Sequence, residues 1–313
     1  MKRILGGLLL AGLLACLQAC GGDSDSPSAN IVQAADAQGL TALTAAVQAA
    51  GLTSTLEDGD AHFTVFAPTD AAFEAAASQL GFSSGAAMIA TLPPATLASL
   101  LEYHVLGEQE SADMLSRMDT APTLYSVAGT PAALAIDSTD GVAITDADLT
   151  TAHVTEADIP ASNGVLHVVD KLLVPPGLFD VVQMARLNPD FTQLVGALQA
   201  TGLDTALSGA GPFTVFAPTD DAFGAIESTI ASLDDAQLAT VLAYHVVGTA
   251  VPAADIPFGQ PIATLANQTI TITAGTPPTI ADTTDVPADI VATDVRASNG
   301  LIHVIDKVLI PTL

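Results

Sequence analysis

Phe63-Thr64-Val65-Phe66-Ala67-Pro68-Thr69-Asp70-Ala71-Ala72-Phe73 decides how this chain is read, because it returns as Phe213-Thr214-Val215-Phe216-Ala217-Pro218-Thr219-Asp220-Asp221-Ala222-Phe223. One position differs, Asp221 standing where Ala71 does. β-Branched and aromatic residues make Phe-Thr-Val-Phe a strand, and the proline stops it. Thr69/Asp70 and Thr219/Asp220 are placed to cap a following helix. Two further blocks recur in the same order: Tyr103-His104-Val105 as Tyr244-His245-Val246, and Ala161-Ser162-Asn163-Gly164 as Ala297-Ser298-Asn299-Gly300. Such a period is far longer than that of a solenoid, so it marks a duplicated globular domain. A chain of 313 residues holds two such domains, each long enough to bury a core.

Working outward, Leu40, Leu43, Val47 and Ala50 lie at helical spacing and end at Gly51; Leu194, Leu198 and Thr201 do the same and end at Gly202. A second helix is expected from about Ala95 to His104, its partner carrying Leu238, Val241 and Leu242 behind Asp234 and Asp235. Short β-like runs follow, including Thr123–Val127, Val142–Thr145, Thr269–Thr273 and Ile290–Thr293. Each copy closes on an apolar run expected to be a central strand, Val165–Val174 and Leu301–Ile310. Helices first and strands afterwards predict an α+β class.

The polar residues present in both copies are the informative ones. His167 and Asp170, like His303 and Asp306, are three apart on a strand, so they face opposite ways and need separate partners. That spacing argues for structural hydrogen bonding over catalysis or metal binding. Asn163-Gly164 and Asn299-Gly300 read as turns admitting positive φ. Tyr103-His104 and Tyr244-His245 end a helix, where a partly charged imidazole complements the dipole; burial with internal hydrogen bonds is the preferred role and surface contact the alternative. Gly81-Phe82-Ser83-Ser84-Gly85 fits the G-x-S-x-G nucleophile pattern, but a helix precedes it where the motif needs a strand. Asp137-Ser138-Thr139-Asp140-Gly141 and Asp58-Gly59-Asp60 lack the alternating carboxylates and closing Glu of a calcium loop. No catalytic residue, cofactor or metal is therefore expected.

The N-terminus has its own logic. Lys2 and Arg3 precede an apolar run from Ile4 to Ala15, too short for a mature span. Leu17-Gln18-Ala19-Cys20, with a Gly/Ser/Asp tether behind it, resembles a bacterial lipoprotein signal, in which the cysteine becomes the lipidated N-terminus. Leu13-Leu14-Ala15-Cys16 fits the same pattern, but Cys20 adjoins the tether and leaves the apolar run whole. Residues 1–19 are thus expected to be a signal peptide, 20–29 a tether, 30–176 the first domain and 177–313 the second. Gly21 after Cys20 is similar to Gram-negative sorting signals for the outer membrane; plain secretion is the alternative. Losing Lys2 and Arg3 from 7 basic and 34 acidic residues leaves a formal charge of −29, which repels nucleic acid. Neither domain holds a cysteine, so no disulfide supports the fold.

Thr-Val-Phe-Ala-Pro-Thr-Asp with a following Ala-Phe, a mid-domain Tyr-His and a terminal Asn-Gly-x-x-His-x-x-Asp resemble the fasciclin domain family, twice over. The resemblance implies, for each repeat, a wedge-shaped β-sandwich with packed helices. It also implies non-enzymatic adhesion to a cell-surface or matrix protein or polymer. In some members an Asp-Ile pair before the closing turn, and the Tyr-His region, contribute to partner contact. The matching positions here are Asp158-Ile159, Asp294-Val295, Tyr103-His104 and Tyr244-His245. The rival expectation is an envelope protein that binds or hydrolyses a small ligand between helices and sandwich.

Overall fold

The computed structural model describes residues 27–139 and 141–313. The expected signal peptide, Cys16, Cys20, most of the expected tether and Asp140 lie outside the described residues.

The first repeat contains β1 (Phe63–Pro68), β2 (Val105–Leu106), β3 (Thr120–Val127), β4 (Thr130–Asp137), β5 (Ala143–Thr145), β6 (Thr151–Ala161) and β7 (Gly164–Val169). The second contains β8 (Phe213–Pro218), β9 (Val246–Val247), β10 (Pro261–Ala263), β11 (Thr269–Thr273), β12 (Thr279–Ala281), β13 (Ala288–Ala297) and β14 (Gly300–Ile305). Their spatial orders, β2-β1-β7-β6-β5-β4-β3 and β9-β8-β14-β13-β12-β11-β10, are the same. Within each, only the pair built from the recurring blocks, β1 with β7 and β8 with β14, runs parallel. The 11-residue β6 belongs to both layers of the sandwich: its start pairs with β5 and its end with β7. Register shifts at Val154/Glu156 and Glu156/Ile159 bend it between them.

Gly164 and Gly300 owe their place to this pairing. A Cβ at either would overlap the carbonyl oxygen of Phe63 or Phe213 across the parallel ladder. The closing strands are shorter than the apolar runs suggest, ending at Val169 and Ile305. Leu172, Leu173 and Val174 nevertheless stay buried, because their segment packs into the core after leaving the sheet.

β1 faces two cores. Phe66 points into the sandwich with Tyr103, Leu134, Ile144 and Val169, while Val65 and Ala67 meet the helices. On the helix side, Thr41–Ala50 and Thr192–Thr201 each end on a left-handed glycine, Gly51 and Gly202. The later helices run Pro94–Glu102 and Asp235–Tyr244. Asp234 caps the latter through a capping box with Gln237. Helices Ile31–Ala37 and Val181–Leu187 open the repeats, a pair that the Leu40 periodicity does not reveal. Asp70–Gln79 is continuous, whereas its counterpart stops at Gly224, a poor helix former. Helix-side residues of both repeats form one apolar cluster, with Leu172, Phe179, Met184 and Leu187 at the junction.

Candidate functional site

The closing turn and the strand behind it gather most of the repeated polar residues. Asn163 is fully buried, and its side chain joins three segments. Its Oδ1 accepts from Ile31 N–H (2.9 Å), and its Nδ2 donates to the carbonyls of Leu56 (2.8 Å) and Asp58 (3.0 Å). Asn299 does the same with Val181, Leu207 and Gly209. Asn163 and Asn299 are thus cross-links, which goes beyond the turn role read from the sequence.

His167 lies four residues further along, within β7, with no exposed surface. Its Nε2 donates to Glu110 O (2.9 Å) and its Nδ1 accepts from Asp158 N–H (3.2 Å). His303 repeats both bonds with Val251 O and Asp294 N–H. Burial pushes both imidazoles below their ordinary pKa. Asp170 and Asp306 are exposed, not buried as an apolar strand suggested, because the sheet ends beneath them. Their carboxylates accept the N–H of His153 and Asp289, each at 2.7 Å.

His104 and His245 are buried and take the opposite tautomer. Nδ1 donates to the carbonyl of Leu100 or Val241, and Nε2 accepts from Leu173 or Leu309 N–H. Burial drives both down to about 4, so they are neutral, and the expected helix-end cation is corrected. Tyr103 and Tyr244 are 1% and 2% exposed. None of these four side chains reaches the surface, which removes them as partner contacts: the helix that carries them packs its end into the sandwich core.

Asp70 and Asp220 act across helices. Thr69 and Thr219 cap their own helices, whereas Asp70 accepts from Ala42 N–H and Asp220 from Gln193 N–H, each at 2.8 Å, at the start of the preceding long helix. Two repeated groups escape the sequence reading. Thr64 and Thr214 donate to the carbonyls of Glu108 and Thr249, and accept the N–H of Glu110 and Val251. Lys171 pairs with Asp146 (2.6 Å) and Lys307 with Asp282 (2.8 Å), both acids having fully buried side chains. The signal was present: each acid precedes its lysine by 25 residues.

Asp158 and Asp294 remain outside. Both stand on the bulges of β6 and β13 at positive φ (57° and 61°), which Asp tolerates. Their carboxylates accept Ala112 N–H and Ala253 N–H, each at 2.9 Å, and otherwise face solvent. Ile159 and Val295 point inward at 8% and 5% exposure, so the aliphatic half of the expected pair is a core residue. Strand alternation accounts for that. Ser83 lies in a turn between helices Asp70–Gln79 and Gly85–Thr91, where Ser84 caps the second helix. The strand that a nucleophile elbow requires does not precede it.

Comparison with known proteins follows the same doubling. A family model described as the fasciclin domain matches residues 38–175 and again 189–311. The chain belongs to the fasciclin domain family. Protein sll1483 of Synechocystis is 39% identical over 138 residues, 42% of this chain and 74% of that protein. Transforming growth factor-beta-induced protein ig-h3 of Sus scrofa is 26% identical over 264 residues. That match covers 81% of this fasciclin chain but only 35% of the porcine protein. Among solved structures, a FAS1 domain pair from the insect cell adhesion molecule Fasciclin I aligns with 89% of this chain and 98% of its own, at 17% identity and a TM-score of 0.43.

Proposed function

We propose that this tandem fasciclin protein is a non-enzymatic adhesion or matrix-interaction protein of the cell envelope, anchored through lipid on Cys20. One observation carries the reading. The imidazoles, asparagines and ion pairs that recur in both repeats are spent on bonds within each repeat, while the carboxylates of Asp158 and Asp294 recur on the outer surface. Membership of the fasciclin domain family supports the same reading. The contact patch we assign is the outer side of the two bulges, around Thr155–Asp158 and Thr293–Asp294. A protein or polymer presenting cationic groups fits those carboxylates. No helix among the described residues is long and apolar enough to cross a membrane; lipid on Cys20 is the anchor in this reading.

The test uses Asp158→Asn/Asp294→Asn, which keeps the acceptors for Ala112 and Ala253 and tolerates positive φ, yet removes both charges. Cells lacking the protein should lose surface attachment. The wild type should restore it and the double variant should not. Full restoration by the double variant would move the contact elsewhere. A fatty-acid probe should label the parent and not Cys20→Ser; label that persists would point to Cys16.

A further inference from the structure

The two repeats build the same scaffold behind β2 and β9 and finish it differently. Thr64 fixes the N–H of Glu110 (2.7 Å) and His167 fixes its carbonyl (2.9 Å). Thr214 and His303 hold Val251 in the same way, with both bonds at 2.9 Å. The second repeat therefore places an apolar side chain where the first places a carboxylate. Glu110 is only 6% exposed, and its Oε2 is buried with no hydrogen-bond partner. An orphaned buried acceptor of this kind costs about 1–3 kcal/mol and calls for an explanation.

Glu110 lines a cavity of about 340 Å³ with Leu106, Met118, Ala121, Leu124 and Pro131. Leu124, 40% exposed, stands at the mouth. Thr123, also in the wall, already bonds Ala132 O at 2.8 Å, so its hydroxyl does not answer the carboxylate. A largely apolar chamber of this size, whose polar side chains are Glu110, the exposed Glu108 and the already bonded Thr123, has the form of a small-molecule site. Glu110 sets the ligand's chemistry: an acceptor without a donor, in a chain whose formal charge is −27, selects a cation.

We propose that the first repeat binds a small organic cation, a primary ammonium on a short apolar body, with the ammonium on Glu110 and the body against Met118 and Leu124. This goes beyond adhesion at the bulges and does not depend on it. The backbone of Glu110 is held on both sides, so the place of this residue in the wall is set before the ligand arrives.

The test is titration of the whole protein, methyl-labelled at methionine, with n-hexylammonium, n-hexanol and n-hexanoate. Met118 should shift saturably with hexylammonium, at least tenfold more weakly with hexanol, and not with hexanoate. Glu110→Gln should weaken hexylammonium at least tenfold while Met88 and Met184, buried on the helix side, keep their positions. Should Glu110→Gln fail to fold, Glu110→Asp, which withdraws the carboxylate by one methylene, carries the same comparison. An unmoved Met118, equal affinity in a folded Glu110 variant, or shifts confined to the other methionines would overturn the proposal. Loss of surface attachment with binding intact would bear on the bulges alone.

Discussion

The first repeat and the second share a framework bond for bond and differ in what they leave unpaired. Asn163 and Asn299, His104 and His245, His167 and His303, and Lys171 and Lys307 each meet equivalent partners. Orphaned carboxylates, by contrast, are found at Glu110 and Asp148, both in the first repeat. Asp148 lies 1% exposed beside the buried Asp146, and its carbonyl accepts Asn188 Nδ2 from the second repeat at 2.8 Å. Burial first, and then the neighbouring Asp146, raises its pKa well above the ordinary value. The next residue, Leu149, is 45% exposed at a φ of 61° and lines a cleft of about 390 Å³ with Lys171, Leu187 and Asp190. Duplication therefore separates two kinds of polar residue: those that brace the fold occur twice, and those carrying an unmet need occur once.

The largest effect is expected at the ion pairs. Lys171→Met and Lys307→Met each strand a buried carboxylate and should cost about 3–5 kcal/mol in urea unfolding. Markedly unequal losses would break the equivalence of the repeats. Acid comes next. Above pH 6.5 the imidazoles of His104 and His245 are neutral whether folded or unfolded, so their contribution is complete. Between 6.5 and about 4 the unfolded chain takes up protons that the folded one refuses, and stability falls with pH. Each histidine should account for about 3 kcal/mol of that fall. His104→Gln and His245→Gln should each flatten the profile by a similar amount.

Asn163→Ala removes three bonds from a fully buried site and should cost about 3 kcal/mol. Asn299→Ala, less buried, should cost about 2 kcal/mol, so the pair sharpens the comparison where burial alone differs. The smallest effect has the opposite sign. As pH rises past 3.8 the unfolded Asp148 ionises while the folded one stays protonated, so the wild type loses stability that Asp148→Asn retains. Near neutral pH that variant should gain about 1 kcal/mol, read as a higher Tm. A loss would mean that the carboxylate has a partner in solution.

Much of the framework is legible in the residues, for local reasons. The recurring Phe-Thr-Val-Phe-Ala-Pro is a strand in both places, and Gly51 and Gly202 end their helices in the left-handed conformation. The closing strand is over-read at its far end because Leu172–Val174 are buried for a tertiary reason. His104 and Asp146 bind the N–H groups of Leu173 and Val174 from outside the sheet. Apolarity reports burial and does not separate a ladder from such a clasp. The surface roles of Tyr103-His104 and Ile159 fail similarly, since their direction depends on packing that a dipeptide does not encode. Lys171 with Asp146 is recoverable only by matching the same 25-residue separation in the second repeat.

The most direct test of the framework is the protonation of its four buried imidazoles, read from long-range proton–nitrogen NMR spectra of the whole protein. The bonds described require His104 and His245 to carry the proton on Nδ1 and His167 and His303 to carry it on Nε2, and burial requires all four to titrate below the ordinary 6.5. Two signals of each tautomer, locked and matched between repeats, are the predicted result. Averaged tautomers, or protonation of any of the four near pH 6.5, would show that these histidines face solvent or a site, and would contradict the account.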